Sequence, residues 1–106
     1  MAAYQPLNSQ IIYSGKANNL SSALNATVGT IEFGDKGLEF RSSQSSFFMQ
    51  IPYQSIQKVY PHKLLWFWLR GFKIVAEGQV FTYVVANAKT VYPLFLETLR
   101  TYRKKK

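Results

Sequence analysis

A chain of 106 residues, 47% hydrophobic and 16% aromatic, has the size and apolar content of one domain with a single core. It contains no cysteine, which excludes a disulfide framework and thiolate chemistry and agrees with a reducing, cytoplasmic setting. The net charge of +8 resembles a nucleic-acid signal until it is located: Arg100, Arg103, Lys104, Lys105 and Lys106 supply five of the thirteen cations, leaving eight against five acidic residues.

An excess gathered at one end promotes non-specific adhesion to polyanions rather than base reading. Only four arginines are present, two of them in that tail, so sequence-specific nucleic-acid binding is not expected. The first ten residues have neither the basic start nor the apolar stretch of a signal peptide. The longest apolar run, Leu64 to Leu69, has six residues, whereas a spanning helix needs roughly 20. A soluble, cytoplasmic protein is the expectation.

In chain order, residues 1–9 are expected to fray, and the strand formers Ile11, Ile12 and Tyr13 place a first strand near Gln10 to Lys16. Asn18 to Asn25 reads as a loop or one short helical turn. From about Thr27 to Phe33, Ile31 and Phe33 alternate with Thr30 and Glu32, the period of a strand with one buried face. Gly34-Asp35-Lys36-Gly37 then predicts a hairpin whose glycines can take positive φ. Leu38 and Phe40 alternate with Glu39 and Arg41 on the return strand, so Glu32 and Glu39 are expected on an outward, solvated face. A polar loop from Ser42 to Ser46 leads to Phe47, Met49 and Ile51 alternating with Phe48 and Gln50. Pro52 ends that ladder because it has no N–H to donate. Ile56 and Val59 resume the apolar pattern.

Pro61-His62-Lys63 predicts a turn into Leu64–Leu69, which periodicity leaves open between a strand and a loop packed on a neighbour. Arg70-Gly71 is expected to break the run. Phe72 to Ala76 predicts a strand, Glu77-Gly78 a tight turn, and Gln79 to Ala86 a central strand. Val91, Leu94, Phe95, Thr98, Leu99 and Tyr102 then mark one stripe of an amphipathic helix. With Thr90 as N-cap, Pro93 falls in the first turn, where its missing N–H has no partner to lose; a cap at Asn87 would put it in the interior. Leu94, Phe95 and Leu99 are expected in the core. The fold class is mainly β (α+β), a bent antiparallel sheet or barrel of about seven strands with one C-terminal helix.

The stretch Gly29 to Tyr60 also carries a resemblance. Its hairpin Gly34–Gly37 with Glu39-Phe40, and its Gln50-Ile51-Pro52, resemble the first half of a PH-like or GRAM-like domain. More closely, they resemble a family of small bacterial proteins whose genes lie beside mannose-family phosphotransferase operons. The resemblance covers roughly residues 15–86 well and the helix loosely. It implies a PH/GRAM-like fold and a role as accessory or regulator of that sugar-uptake system. The chain departs from the family in having Tyr53 where a tryptophan is usual and in the more apolar Leu64–Leu69.

Little in the sequence can carry a reaction. His62 is the only histidine, in a predicted turn, and the five carboxylates are Glu32, Asp35, Glu39, Glu77 and Glu97. None has metal-ligand spacing, and Gly34–Gly37 lacks the following helix of a phosphate loop. No enzyme, cofactor or metal site is expected. Two features remain for binding. Lys63, Trp66, Trp68, Arg70 and Lys73 form an aromatic stretch framed by cations, suited to a partner, to self-association or to a membrane interface. Equally, the tryptophans could pack over the sheet edge. In an extended segment Leu65, Phe67 and Leu69 would form a core-facing set, and Leu64, Trp66 and Trp68 an exposed one. The second feature is the basic tail, Arg100 and Arg103 to Lys106, a solvated terminus or a contact for an anionic surface. The expected function is a non-enzymatic binding and regulatory module, with a peripheral module on anionic lipid at the inner face of the membrane as the alternative.

Overall fold

The computed structural model describes residues 5–20 and 26–104. Seven strands run β1 (Ile11–Leu20), β2 (Ala26–Gly34), β3 (Gly37–Ser42), β4 (Phe48–Pro52), β5 (Ile56–Leu64), β6 (Trp68–Ala76) and β7 (Gln79–Val85), and one helix, α1 (Ala88–Lys104), follows them. They form one antiparallel sheet in the order β4-β3-β2-β1-β7-β6-β5, with β4 and β5 left as free edges. The seven strands and C-terminal helix are those expected from periodicity; the sheet is bent but not closed. Asn18 to Leu20 belong to β1, and the rest of the expected loop, 21–25, lies outside the described residues.

The inward positions of the sheet meet α1. Ile31, Phe33, Leu38, Phe40, Phe72, Ile74 and Tyr83 are fully buried, and so is Phe95 of the helix. The Phe95 ring stacks on Phe72 at 5.0 Å and meets Phe33 edge-on at 5.2 Å. Tyr53, in a single 3-10 turn (Tyr53–Ser55), is buried against Phe95 and Tyr102, and its hydroxyl donates to the Gly34 carbonyl at 2.6 Å. Burial pushes its phenol far above the ordinary pKa.

Several expectations are corrected. Pro61-His62-Lys63 is not a turn: β5 runs through it, with Pro61 opposite Phe72. Because β5 is an edge strand, a missing N–H can face outward without breaking the ladder. Arg70-Gly71 does not break β6 either. Gly71 is a glycine because a Cβ there would strike the Tyr83 carbonyl of the neighbouring strand. The helix begins at Ala88, with the Asn87 carbonyl accepting from the Thr90 and Val91 N–H groups at 2.9 Å each. Asn87, with φ 56°, is therefore the cap, and Pro93 sits inside the helix on its exposed face. Leu94 is only half-buried, whereas Phe95 and Leu99 are core.

The hairpin at Gly34–Gly37 forms without positive φ at either glycine. It is held instead by residues expected to fray. The Asn8 Oδ1 accepts from the Lys36 and Gly37 N–H groups at 2.7 and 2.8 Å, and its Nδ2 donates to the Gly37 carbonyl and to Glu39 Oε1, both at 3.0 Å. A Cβ on Gly34 would collide with the Gln10 carbonyl, so that glycine serves close approach rather than turn geometry. Glu39 does stand on the outward face, opposite Glu32 and Gln50, yet it is 1% exposed because residues 5–8 lie over it. The solvated carboxylate face expected there is reduced to Glu32, which pairs with Arg41 at 3.0 Å.

Asp35 completes the clasp. Its carboxylate accepts from the Ser9 and Gln10 N–H groups at 2.8 and 3.0 Å. The Gln10 bond, aided by Ser9 and by the charge of Lys36, holds its pKa below the ordinary 3.8 against partial desolvation. A depressed folded pKa gives stability that is complete above the ordinary value and lost as pH falls through the folded one. The amides of Ser9 and Gln10 are therefore expected to lose hydrogen-exchange protection below about pH 3.8. Asp35→Asn should flatten that dependence; an equally steep acid loss in the variant would place its origin elsewhere.

Candidate functional site: the tip of the β5–β6 hairpin

The β6–β7 ladder stops at Gly71 opposite Val84, while the β5–β6 ladder continues through Lys63–Leu69 to Leu64–Trp68. The last pairs of that hairpin therefore project beyond the sheet. A turn at Leu65-Trp66-Phe67 closes it, with Leu65 in the left-handed region at φ 59°. The expectation of an extended Leu64–Leu69 with one inward set fails here. A turn has no alternating faces, and no core lies beneath it. Leu65 is 72% exposed, Trp66 82% and Phe67 61%, and Leu64 and Trp68 are about half exposed. Leu69 alone of the supposed core set is partly buried.

The ring of Trp66 meets Phe67 edge-on at 5.2 Å, so the two side chains form one apolar knob. Behind it, the Arg70 guanidinium lies over the Trp68 ring at 4.7 Å, a cation–π contact that keeps both side chains at the base of the tip. The pairing slips at Arg70, between the His62–Gly71 and Lys63–Leu69 pairs, which breaks the strand alternation there and leaves Leu69 packed against the edge of the core beside Trp68 and Arg70. Residues 68–70 face the start of α1 across a cleft of about 530 Å³ whose other walls are residues 85–90. Lys73 lies opposite Tyr60 on the outer face, with Lys63 and His62 further along β5. The predicted set Lys63, Trp66, Trp68, Arg70 and Lys73 is thus brought to one hairpin.

The field there is positive. The described ion pairs, Arg41–Glu32 and Arg100–Glu97, involve no cation of the tip. Asp35 and Glu39 are held by the N-terminal clasp, and Glu77 lies in the turn at the far end of β6. His62 is pushed below its ordinary pKa of 6.5, first by partial burial and then by the charges of Lys73 and Arg70. Among the described residues no three His, Cys, Asp or Glu side chains gather as metal ligands.

The tail is a separate place. Seventeen helical residues, about 25 Å, separate the start of α1 beside the tip from its basic end. Arg100 pairs with Glu97 at 2.9 Å and Arg103 donates to the Ile56 carbonyl at 2.9 Å, at the opposite end of β5 from the tip. Lys104 is exposed; Lys105 and Lys106 lie outside the described residues. Lys89, exposed at the cleft, escapes a sequence reading, because only the folded chain brings the helix start beside residues 68–70. No described helix is long and apolar enough to cross a membrane.

Among solved structures, the C-terminal domain of an unknown protein from Leishmania infantum matches with TM-score 0.75 at 11% identity, over 85% of this chain and 84% of that one. The N-terminal PH domain of human ARAP2 matches with TM-score 0.64 at 15% identity, over 89% and 81%. The linker-DH/PH fragment of p115-RhoGEF matches with TM-score 0.67 at 12% identity, over 87% of this chain but 29% of that one. At such identities the likeness concerns fold alone, and the fold is PH-domain-like. No curated protein matches the chain. One family profile spans nearly all of it, residues 3–104, and the chain belongs to that family, DUF956, described as a domain of unknown function.

Proposed function

We propose that this protein is a non-enzymatic binding and regulatory module that presents the β5–β6 tip to its target, as an accessory or regulator of mannose-type sugar phosphotransfer. The observation that carries the binding reading is the tip itself. Contiguous large apolar residues stand exposed on a projecting hairpin, where folding gains nothing from them. The PH-like scaffold supports it, since a bent sheet plugged by a helix is stable without its loops and leaves them free to vary. The link to sugar uptake rests on the resemblance carried by Gly34–Gly37, Glu39-Phe40 and Gln50–Pro52. Those residues lie in the N-terminal clasp, as Asp35, Lys36, Gly37, Glu39 and Gln50 do, or in the core, as Phe40 and Ile51 do, and none is at the tip, so the resemblance and the binding surface are independent supports.

Affinity co-purification from cells that express a mannose-type phosphotransferase tests both parts. Phosphotransferase components should accompany the wild type and be lost with Trp66→Ser/Phe67→Ser, whose side chains are too exposed to be needed for folding. Recovery with both proteins alike would remove the tip from the interaction. Recovery with neither would remove the phosphotransferase role.

A further inference from the structure

The tip has the build of an element that enters an anionic lipid surface, and we propose that this is what it touches first. The proposal rests on the preceding reading only in taking the tip as the contact. Leu65, Trp66 and Phe67 form the point, Leu64 and Trp68 the shoulders, and Lys63 and Arg70 the base. Lys63 and Trp66 are three positions apart, as are Phe67 and Arg70, and at about 3.3 Å per extended residue the cations sit at most about 10 Å behind the apolar point. That matches the depth, about 5–10 Å, to which interfacial elements bury their apolar side while basic residues stay with the phosphates. Indole rings favour that boundary, and long basic side chains reach back toward water from it.

Charge decides among the occupants. A second copy of the chain would bring Lys63, Arg70 and Lys73 against their own counterparts, with no described ion pair at either tip to compensate. A surface of lipid phosphates complements all of them. The convex shape points the same way, since a yielding interface requires no matching pocket. Leu65 adds an independent sign. A leucine in the left-handed region carries backbone strain, and at 72% exposed it recovers almost none of that by burial. Asparagine or glycine would suit the turn better, so the leucine is explained by something outside the folded monomer.

Trp66 and Trp68 are the only tryptophans in the sequence, so the intrinsic emission of the whole chain reports on the tip. With vesicles of phosphatidylcholine and phosphatidylglycerol the emission should shift to the blue and be quenched by brominated acyl chains. Phosphatidylcholine alone should produce little change, and high salt should reverse the shift. Leu65→Asn/Phe67→Ser keeps both fluorophores and a residue suited to positive φ. It should weaken partitioning at least about tenfold while leaving the thermal midpoint unchanged or raised. Lys63→Gln/Arg70→Gln should weaken it by about fivefold per charge. Emission unmoved by anionic vesicles, or partitioning unchanged in the folded tip variant, overturns the proposal. If vesicles fail while co-purification still depends on the tip, the tip docks in a protein pocket and the binding reading survives. If vesicles succeed and no phosphotransferase component is recovered, the membrane element stands and the sugar-uptake role falls.

Discussion

Replacing Phe95 by alanine is expected to lower the stability of the domain by about 3–5 kcal/mol, a large part of what a single domain possesses. Phe95 is fully buried and in ring contact with Phe33, Phe72 and Tyr53, which belong to β2, β6 and the 3-10 turn. Those elements come from both halves of the sheet, so one side chain ties the halves together through the helix. The cavity left behind cannot be closed by one neighbour moving, because its walls belong to separate strands. Leu94→Ala, one position away but only half-buried, should cost much less. Urea unfolding of the two variants measures the contrast. A loss below about 1 kcal/mol for Phe95→Ala would mean that the helix is appended to a sheet that stands without it.

Much of this fold is legible in the sequence because its strands have one wet face. Ile31 and Phe33, Leu38 and Phe40, and Phe72 and Ile74 announce themselves by period two, and Phe95 and Leu99 by the helical period of 3.6. What escapes is set by position in the sheet rather than by local pattern. Pro61 reads as a turn residue because nothing nearby in sequence says that β5 is an edge. Local rules penalise Pro93 inside a helix and so favour a later start, yet on the exposed face the helix tolerates the lost bond. Glu39 has the correct parity for solvent and is nonetheless buried, since the cover comes from residues more than thirty positions away. Residue types alone mark the tip, but they do not give its shape. Alternation applies only while the chain stays extended, and Leu65 turns it.

Asn8→Ala is expected to cost about 2–4 kcal/mol, far more than a residue near a chain end ordinarily would. Its carboxamide, 8% exposed, makes four hydrogen bonds, to the Lys36 N–H, the Gly37 N–H and carbonyl, and the Glu39 carboxylate. Truncation removes that partner from all of them in a place where water enters poorly. The most sensitive is the Glu39 carboxylate, a buried charge for which the Leu7 N–H and Gln50 Nε2 are fellow donors. Asn8→Asp separates this account from simple loss of packing. It preserves the shape and the acceptor for Lys36 and Gly37, but turns an oxygen toward Glu39 in place of the N–H that stood at 3.0 Å. At neutral pH the two carboxylates should repel, and the variant should be at least as unstable as Asn8→Ala. In mild acid a proton taken up between them restores a donor, so the aspartate variant should regain stability while the alanine variant does not. Thermal unfolding of both variants across that range decides it. Parallel curves for the two would show that Asn8 merely fills space over Glu39, and that the clasp is held by something other than this amide.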